Sequence, residues 1–173
     1  MSERPRLVLV GPPGAGKTMV GQVVAARLRV AFRDTDLDIE ARAGKPVQDI
    51  FVQDGEDAFR ALEREAVRAA LGDADGVLAL GGGAVLDEGT RALLADHHVV
   101  YLDVTLTAAA HRVGLDTPRP LLVANPRTAL RRQLEERRPL YEQVATAIVQ
   151  TADRTPEDIA EEVAATVPGT VSP

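Results

Sequence analysis

Short apolar runs alternate with amphipathic stretches along almost the whole chain. Arg6-Leu7-Val8-Leu9-Val10 is apolar over four consecutive positions and stops at a glycine, the pattern of a strand covered on both faces. The same signature recurs at Val30–Arg33, Val77–Leu80, Val99–Val104 and Ala147–Gln150, which makes five expected strands. The stretches between them carry a helical period. Lys17–Leu28 places Val20, Val24 and Leu28 on one face, and Glu56–Leu71 gathers Phe59, Leu62, Ala66, Val67 and Ala70. Shorter helices are expected at Leu37–Ala43, halted by Gly44-Lys45-Pro46, and at Val47–Val52, Thr90–Ala95 and Thr107–Val113. Thr128–Val144 reads as a long charged helix with Pro139 as a kink or break, and Pro156–Val167 as the last helix. Strands alternating with helices predict an α/β fold, a five-stranded parallel sheet between two helical layers.

One segment departs from this rhythm. Gly114–Asn125 has neither period, and Pro118, Pro120 and Pro126 lie in or beside it. A loop of that length in a compact domain is expected to act as a lid. The closing "PGTVSP", about 168–173, is expected to fray. The 173 residues are read as one domain.

Composition sharpens the picture in three ways. Aromatics are only 3% of the chain, so Ala, Val and Leu must build the core. No cysteine is present, which removes disulfides and thiolate metal sites. The net charge of −6 argues against a nucleic-acid partner, which needs a basic surface, but leaves room for a small anion held by a few local arginines. The N-terminal apolar run is too short for a membrane span or a signal segment, so a cytoplasmic protein is expected. Only Lys17 and Lys45 are lysines among 20 basic residues, and a lysine kept amid arginines points to use of its compact charge.

Lys17 lies in "GPPGAGKT", Gly11 to Thr18, a complete match to G-x-x-x-x-G-K-[ST] with an expected strand before it and a helix after. The chemistry needs these residue types. The glycines let consecutive N–H groups face phosphate oxygens, and the helix start adds its positive end. Lysine reaches the β- and γ-phosphates, and the Thr18 hydroxyl is a ligand for Mg²⁺. A nucleoside triphosphate is therefore the expected ligand.

Its metal calls for a carboxylate at another strand end. Asp103 closes one apolar run. Asp34 opens the crowded "DTDLD" after another and would lie near the cradle if its strand neighbours the first. Sequence physics leaves the two open. A calcium loop starting at Asp34 is excluded, because Ile39 stands where glycine is required and Lys45 where glutamate is required. Three arginines are candidates for a second, anionic substrate: Arg60, with Glu63 one turn on to orient it, Arg119 in the lid segment, and Arg137 beside Arg138. Singly, each is as well read as a solvated side chain. Gly81-Gly82-Gly83 follows a buried strand, where ligands of parallel sheets bind and backbone can approach closely.

Taken together, "GPPGAGKT", "DTD", "GEDAFRALE", "LGGGAV", "TPRPLL" and "RRPLY", in that order, resemble the shikimate kinases, P-loop kinases of the nucleoside-monophosphate-kinase type. The resemblance covers nearly the whole chain. It implies transfer of a phosphoryl group from ATP to the 3-hydroxyl of shikimate, with Mg²⁺, on the route to chorismate and the aromatic amino acids. It implies a helical substrate-binding region at about 35–63, a mobile lid at about 114–125 and a monomer. By the same match Gly14, Ala15, Gly16, Lys17, Thr18 and Met19 hold ATP, Arg112 and Pro156 flank the adenine, and Arg119 closes onto the phosphates. Thr18 and Asp34 serve the metal, Asp34 through its water shell. Asp36 contacts the shikimate hydroxyls as base, Arg60 and Arg137 bind the carboxylate, and Gly81, Gly82 and Gly83 line that pocket. Asp103 becomes structural. Asp38 has no expected partner beyond the helix start. Thr18 stands where serine is frequent, and Arg138 where a small residue is common, so it rivals Arg137.

Overall fold

The computed structural model describes residues 5–112 and 126–169. Five parallel strands, β1 (Leu7–Val10), β2 (Phe32–Asp34), β3 (Val77–Ala79), β4 (Val99–Asp103) and β5 (Ala147–Gln150), stand in the order β2-β3-β1-β4-β5. The eight helices among the described residues are α1 (Lys17–Leu28), α2 (Thr35–Ala43), α3 (Val47–Asp54), α4 (Glu56–Asp73), α5 (Glu88–Leu94), α6 (Leu106–Arg112), α7 (Pro126–Val144) and α8 (Pro156–Thr166). All five expected strands are present, and each expected helix lies within two residues of its place at either end. None of these helices is long and apolar enough to cross a membrane.

The apolar runs explain the three layers. Alternate residues of β1 serve opposite faces: Leu7 and Leu9 pack with Val20 and Val24 of α1 and Ile159 and Val163 of α8. Val8 and Val10 pack with Val67, Ala70 and Leu71 of α4 and with Tyr141 and Val144 of α7. A third, smaller core of Ile39, Ile50, Phe59 and Ala66 joins α2, α3 and the start of α4. That cluster holds up the 35–63 region independently of the sheet.

Three local expectations need correcting, and one condition is not met. α2 begins at Thr35 rather than Leu37, because the Asp34 carboxylate caps it by accepting the Asp36 N–H at 2.8 Å. Pro139 does not break the long helix: α7 continues to Val144. Pro139 and Glu135, whose carbonyl loses its partner, are both exposed, so water can take over that bond. A single 3-10 turn, Ala84–Leu86, follows the glycines, and α5 then starts at Glu88 under an Asp87 cap on the Thr90 N–H. β2 does not neighbour β1; β3 lies between them.

Candidate active site

All the parallel strands point their C-terminal ends to one edge, and the candidate residues collect there. The cradle grows out of β1. Gly14 and Gly16 have φ of 84° and 87°, a backbone region open to glycine and costly for other residues. Gly16 forms the start of α1, whose first turn carries no acidic residue, so its N–H groups remain available for an anion. Lys17 folds back over the loop and donates from Nζ to the carbonyls of Gly11 at 2.7 Å and Pro12 at 3.1 Å. Gly14 to Met19 line a cavity of about 610 Å³ together with Asp34, Asp36 and Pro156.

Asp34 reaches the cradle although its strand is not next to β1. The Thr18 hydroxyl donates to Asp34 Oδ2 at 3.1 Å. Asp103, on the strand that does adjoin β1, is engaged elsewhere. It accepts from the Tyr101 hydroxyl at 2.9 Å and the Gln150 amide at 3.0 Å, and Arg138 Nη2 lies 3.6 Å away. These contacts separate the members of both pairs by position. Asp34 faces Thr18 where Asp103 does not, and Arg138 is drawn to β4 while Arg137 is not. Two hard oxygen donors at Thr18 and Asp34 suit Mg²⁺, which keeps much of its water and takes phosphate oxygens rather than a full protein cage.

Beside the cradle lies a second, more heavily charged pocket. Arg60 Nη1 donates to Glu63 Oε1 at 2.7 Å, and the guanidinium sits 5.2 Å and 5.8 Å from the ring centres of Phe59 and Phe51. Glu63 is only 4% exposed, a carboxylate on the apolar face of α4 where the helical period had placed Leu62. Its Oε2 and the Arg60 Nε are buried with no hydrogen-bond partner, which leaves polar capacity open beside the ring of charges. The triple glycine closes the pocket by lacking side chains. A Cβ on Gly81 would stand 2.6 Å from Asp36 Oδ1 and 3.0 Å from Glu63 Oε2, and one on Gly83 would strike the Arg60 guanidinium. Gly82 packs against Pro13 of the cradle, so the two sites touch.

The electrostatics follow from this crowding. The Asp36 carboxyl is pushed up to about 6, first by burial and then by the negative charges of Asp34 and Glu63. The Lys17 ammonium is lowered to about 8 by burial, against the pull of Asp36 and Asp34. Burial also raises Glu63, opposed by its bond and charge contact with Arg60. The Arg137 charge bears on Lys17 and Glu63, and it favours the ionised Tyr141 hydroxyl against the effect of burial. Arg137 therefore lies within electrostatic reach of the Arg60–Glu63 pair.

A family model for shikimate kinase matches residues 13–168. The chain belongs to the shikimate kinase family. Among its relatives, the shikimate kinase of Thermobifida fusca is 60% identical over 168 residues, 97% of this chain and 98% of that one. The shikimate kinase of Salinispora arenicola is 63% identical over 161 residues, 93% and 96% of the two chains. The structure of shikimate kinase from Acinetobacter baumannii in complex with shikimate superposes with a TM-score of 0.85 at 35% identity, over 93% of this chain and 92% of the other. A gluconokinase from Sinorhizobium meliloti reaches 0.61 at 20% identity, over 95% and 92%, a likeness of fold alone. Shikimate kinase activity, a step of aromatic biosynthesis, follows from this membership.

The structure thus brings together Lys17, Thr18, Asp34, Asp36, Arg60, Gly81 to Gly83 and Arg137. Arg119 and the lid at 114–125 lie outside the described residues, as do the Arg112 side chain and the last four residues of the tail. Asp38 is corrected: it accepts from Arg33 Nε at 2.7 Å, an ion pair from the end of β2 to the first turn of α2. Its five-residue spacing across a strand–helix junction hid that contact. Three residues escaped sequence reasoning. Thr35, fully buried, accepts the Gly81 N–H at 3.3 Å; Phe51 flanks Arg60; and Tyr141 donates to the Gly82 carbonyl at 2.5 Å. The "PLY" of the arginine motif was the available signal for Tyr141.

Proposed function

We propose that this chain transfers the γ-phosphoryl group of ATP to the 3-hydroxyl of shikimate, with the residues of the two touching pockets in the following roles. The observation that carries the assignment is the half-satisfied Arg60–Glu63 pair beside Asp36, within contact of a phosphate cradle. Such a pocket suits a small acid that brings a carboxylate for the arginines and hydroxyls for the acidic groups.

Lys17 leaves the loop carbonyls and, with the N–H groups at the start of α1, neutralises the β- and γ-phosphates. Pro156, in the same cavity, packs near the base of the nucleotide. Thr18 and Asp34 would hold Mg²⁺, which would supply further positive charge to the phosphates. Arg60 and Arg137 grip the shikimate carboxylate and turn one hydroxyl toward the cradle. Asp36 accepts the proton of that hydroxyl as the new O–P bond forms and the bond to the leaving ADP breaks. Its raised pKa suits a base working near neutral pH. Arg119, by the family resemblance, adds its charge at the phosphates. Most of the acceleration then comes from positioning and electrostatics.

The reading includes a cytoplasmic monomer. Among the described residues, the large exposed apolar side chains, including Met19, Leu37, Val52, Leu93 and Ile148, come from different elements. Sedimentation checks that part. The function is tested by ADP release with ATP and Mg²⁺ in the presence of shikimate, gluconate or no acceptor. Release that depends on shikimate is expected. Release with gluconate alone, or none with shikimate, overturns the assignment.

A further inference from the structure

The triple glycine is held from two sides. On one side its Gly81 N–H donates to Thr35, the residue between Asp34 and Asp36. On the other its Gly82 carbonyl accepts the Tyr141 hydroxyl. Tyr141 is 1% exposed, and its ring stacks on Tyr101 at 5.0 Å between centres with 28° between planes, so the ring has little freedom to swing. It also lies four residues after Arg137, one turn along the same face of α7, where that guanidinium acts on its hydroxyl. A single hydroxyl thus joins the glycine turn to the helix that carries Arg137.

We propose that Tyr141 is a positioning residue for the acceptor: its hydroxyl fixes Arg137 and the Gly81–Gly83 turn relative to one another before shikimate binds. The inference rests on the acceptor pocket assigned above. Three contacts of that pocket depend on the tie. The turn must stay close, because the would-be Cβ positions of Gly81 and Gly83 touch Asp36, Glu63 and Arg60. Arg137 must stay on the pocket side of α7 while its neighbour Arg138 faces Asp103. The Gly82 carbonyl must keep a donor, since losing the bond weakens the hold of α7 on the turn. Without the hydroxyl, shikimate would have to order Arg137 and the turn as it binds, and its affinity would fall by that cost. The cradle has its own backbone support and is independent of this tie.

The test is steady-state kinetics of Tyr141→Phe beside Tyr101→Phe. Tyr101 is the other ring of the stack and its hydroxyl bonds Asp103, outside the pocket, so it reports the cost of losing a buried hydroxyl in the same core. Tyr141→Phe is expected to raise the KM for shikimate roughly 5- to 20-fold, with the KM for ATP within about twofold. Tyr101→Phe is expected to leave both within about twofold, whatever each variant does to Tm. An unchanged shikimate KM in Tyr141→Phe, or a rise shared equally with ATP, overturns the proposal. If wild-type protein itself shows no turnover of shikimate, it is the functional assignment that fails. Should Tyr141→Phe not fold, the wild type decides, because only two tyrosines are present. With ¹³Cζ-labelled tyrosine, saturating shikimate is expected to move the Tyr141 resonance and leave that of Tyr101; a Tyr141 signal that stays in place overturns the proposal.

Discussion

The phosphate cradle and the acceptor pocket share a wall at Gly82 and Pro13, yet they are built in opposite ways. The cradle is eight consecutive residues, made largely of backbone, and its charge is one lysine and the end of one helix. The acceptor pocket draws on α2, α4, the glycine turn and α7, and its working parts are charged side chains withdrawn from water. Backbone N–H groups at a helix start are positioned by the helix itself. Side chains from four segments are positioned only by each other, and burying their charges costs stability unless partners meet them. The Arg60–Glu63 pair, with an orphaned atom on each partner, shows that cost left partly unmet.

If that contrast holds, damage on the acceptor side spares the nucleotide. The largest effect is expected from Asp36→Asn, which keeps the shape and removes the base. Its kcat falls by roughly 10²- to 10⁴-fold in an ADP-release assay, while the ATP dissociation constant changes little. Normal turnover in this variant would remove Asp36 as base. Next come Arg60→Ala and Arg137→Ala. Each loses a charge-assisted bond to the carboxylate, and calorimetry is expected to show shikimate affinity weakened about 10- to 150-fold, against a small change for ATP. Equal losses for both ligands would contradict the division between the pockets.

A subtler change to the wall sharpens the comparison. Gly81→Ala adds one methyl where Asp36 and Glu63 already crowd. Displacing Asp36 by a fraction of an ångström to one ångström is expected to cost roughly 10- to 100-fold in kcat/KM, with ATP affinity retained. A fully active Gly81→Ala enzyme would mean that the turn has slack and that the close approach is incidental.

The smallest effects are those of pH, and here the two pockets move in opposite directions. Asp36, raised from 3.8 to about 6, leaves the activity to fall about tenfold per pH unit below 6 as the base is protonated. Its effect on stability has the unusual sign for a carboxylate. Between about pH 4 and 6 the folded protein binds the proton that the unfolded chain releases, so folding stability declines as pH rises through this window. Asp36→Asn is therefore expected to unfold at a higher temperature than wild type at pH 7.5, by up to about 3 kcal/mol of stability. Lys17, lowered to about 8, contributes on the alkaline side: the folded state is favoured progressively as pH rises from about 8 toward 10.5. ATP binding near pH 8 should recharge it. Calorimetry in buffers of different ionisation heat is expected to report proton uptake with ATP, and none would remove the lysine from the phosphates.

How much of this was legible in the sequence differs between the same two regions. All five strands and the cradle were readable, because a buried parallel strand is an unbroken apolar run and the cradle is a contiguous motif. Arg60, Arg137 and the glycines were visible only as candidates, each matched by an ordinary alternative, until the order of motifs suggested a family. Glu63 was read as orienting Arg60, but its burial was not, because helical period favours the leucine beside it. Of the kink or break expected at Pro139, the break is absent, because the lost bond lies on the exposed side of α7, where water substitutes.

By itself, then, the chain determined which segments are buried on two faces, which eight residues form the cradle loop, and the identity of the charges available beside it. These are local properties, set by periodicity and by backbone geometry over a few residues. Only the tertiary structure decided which of them meet. It put β3 between β1 and β2, so neighbouring strands were the wrong guide to the metal side, and Asp34 rather than Asp103 faces Thr18. It turned Arg138 toward β4 and left Arg137 with Tyr141. It placed one hydroxyl between that helix and the glycine turn. The physical reason is common to all three. A side chain's partner on another element depends on how helices and strands pack, and the hydrophobic pattern specifies the buried face without specifying the neighbour.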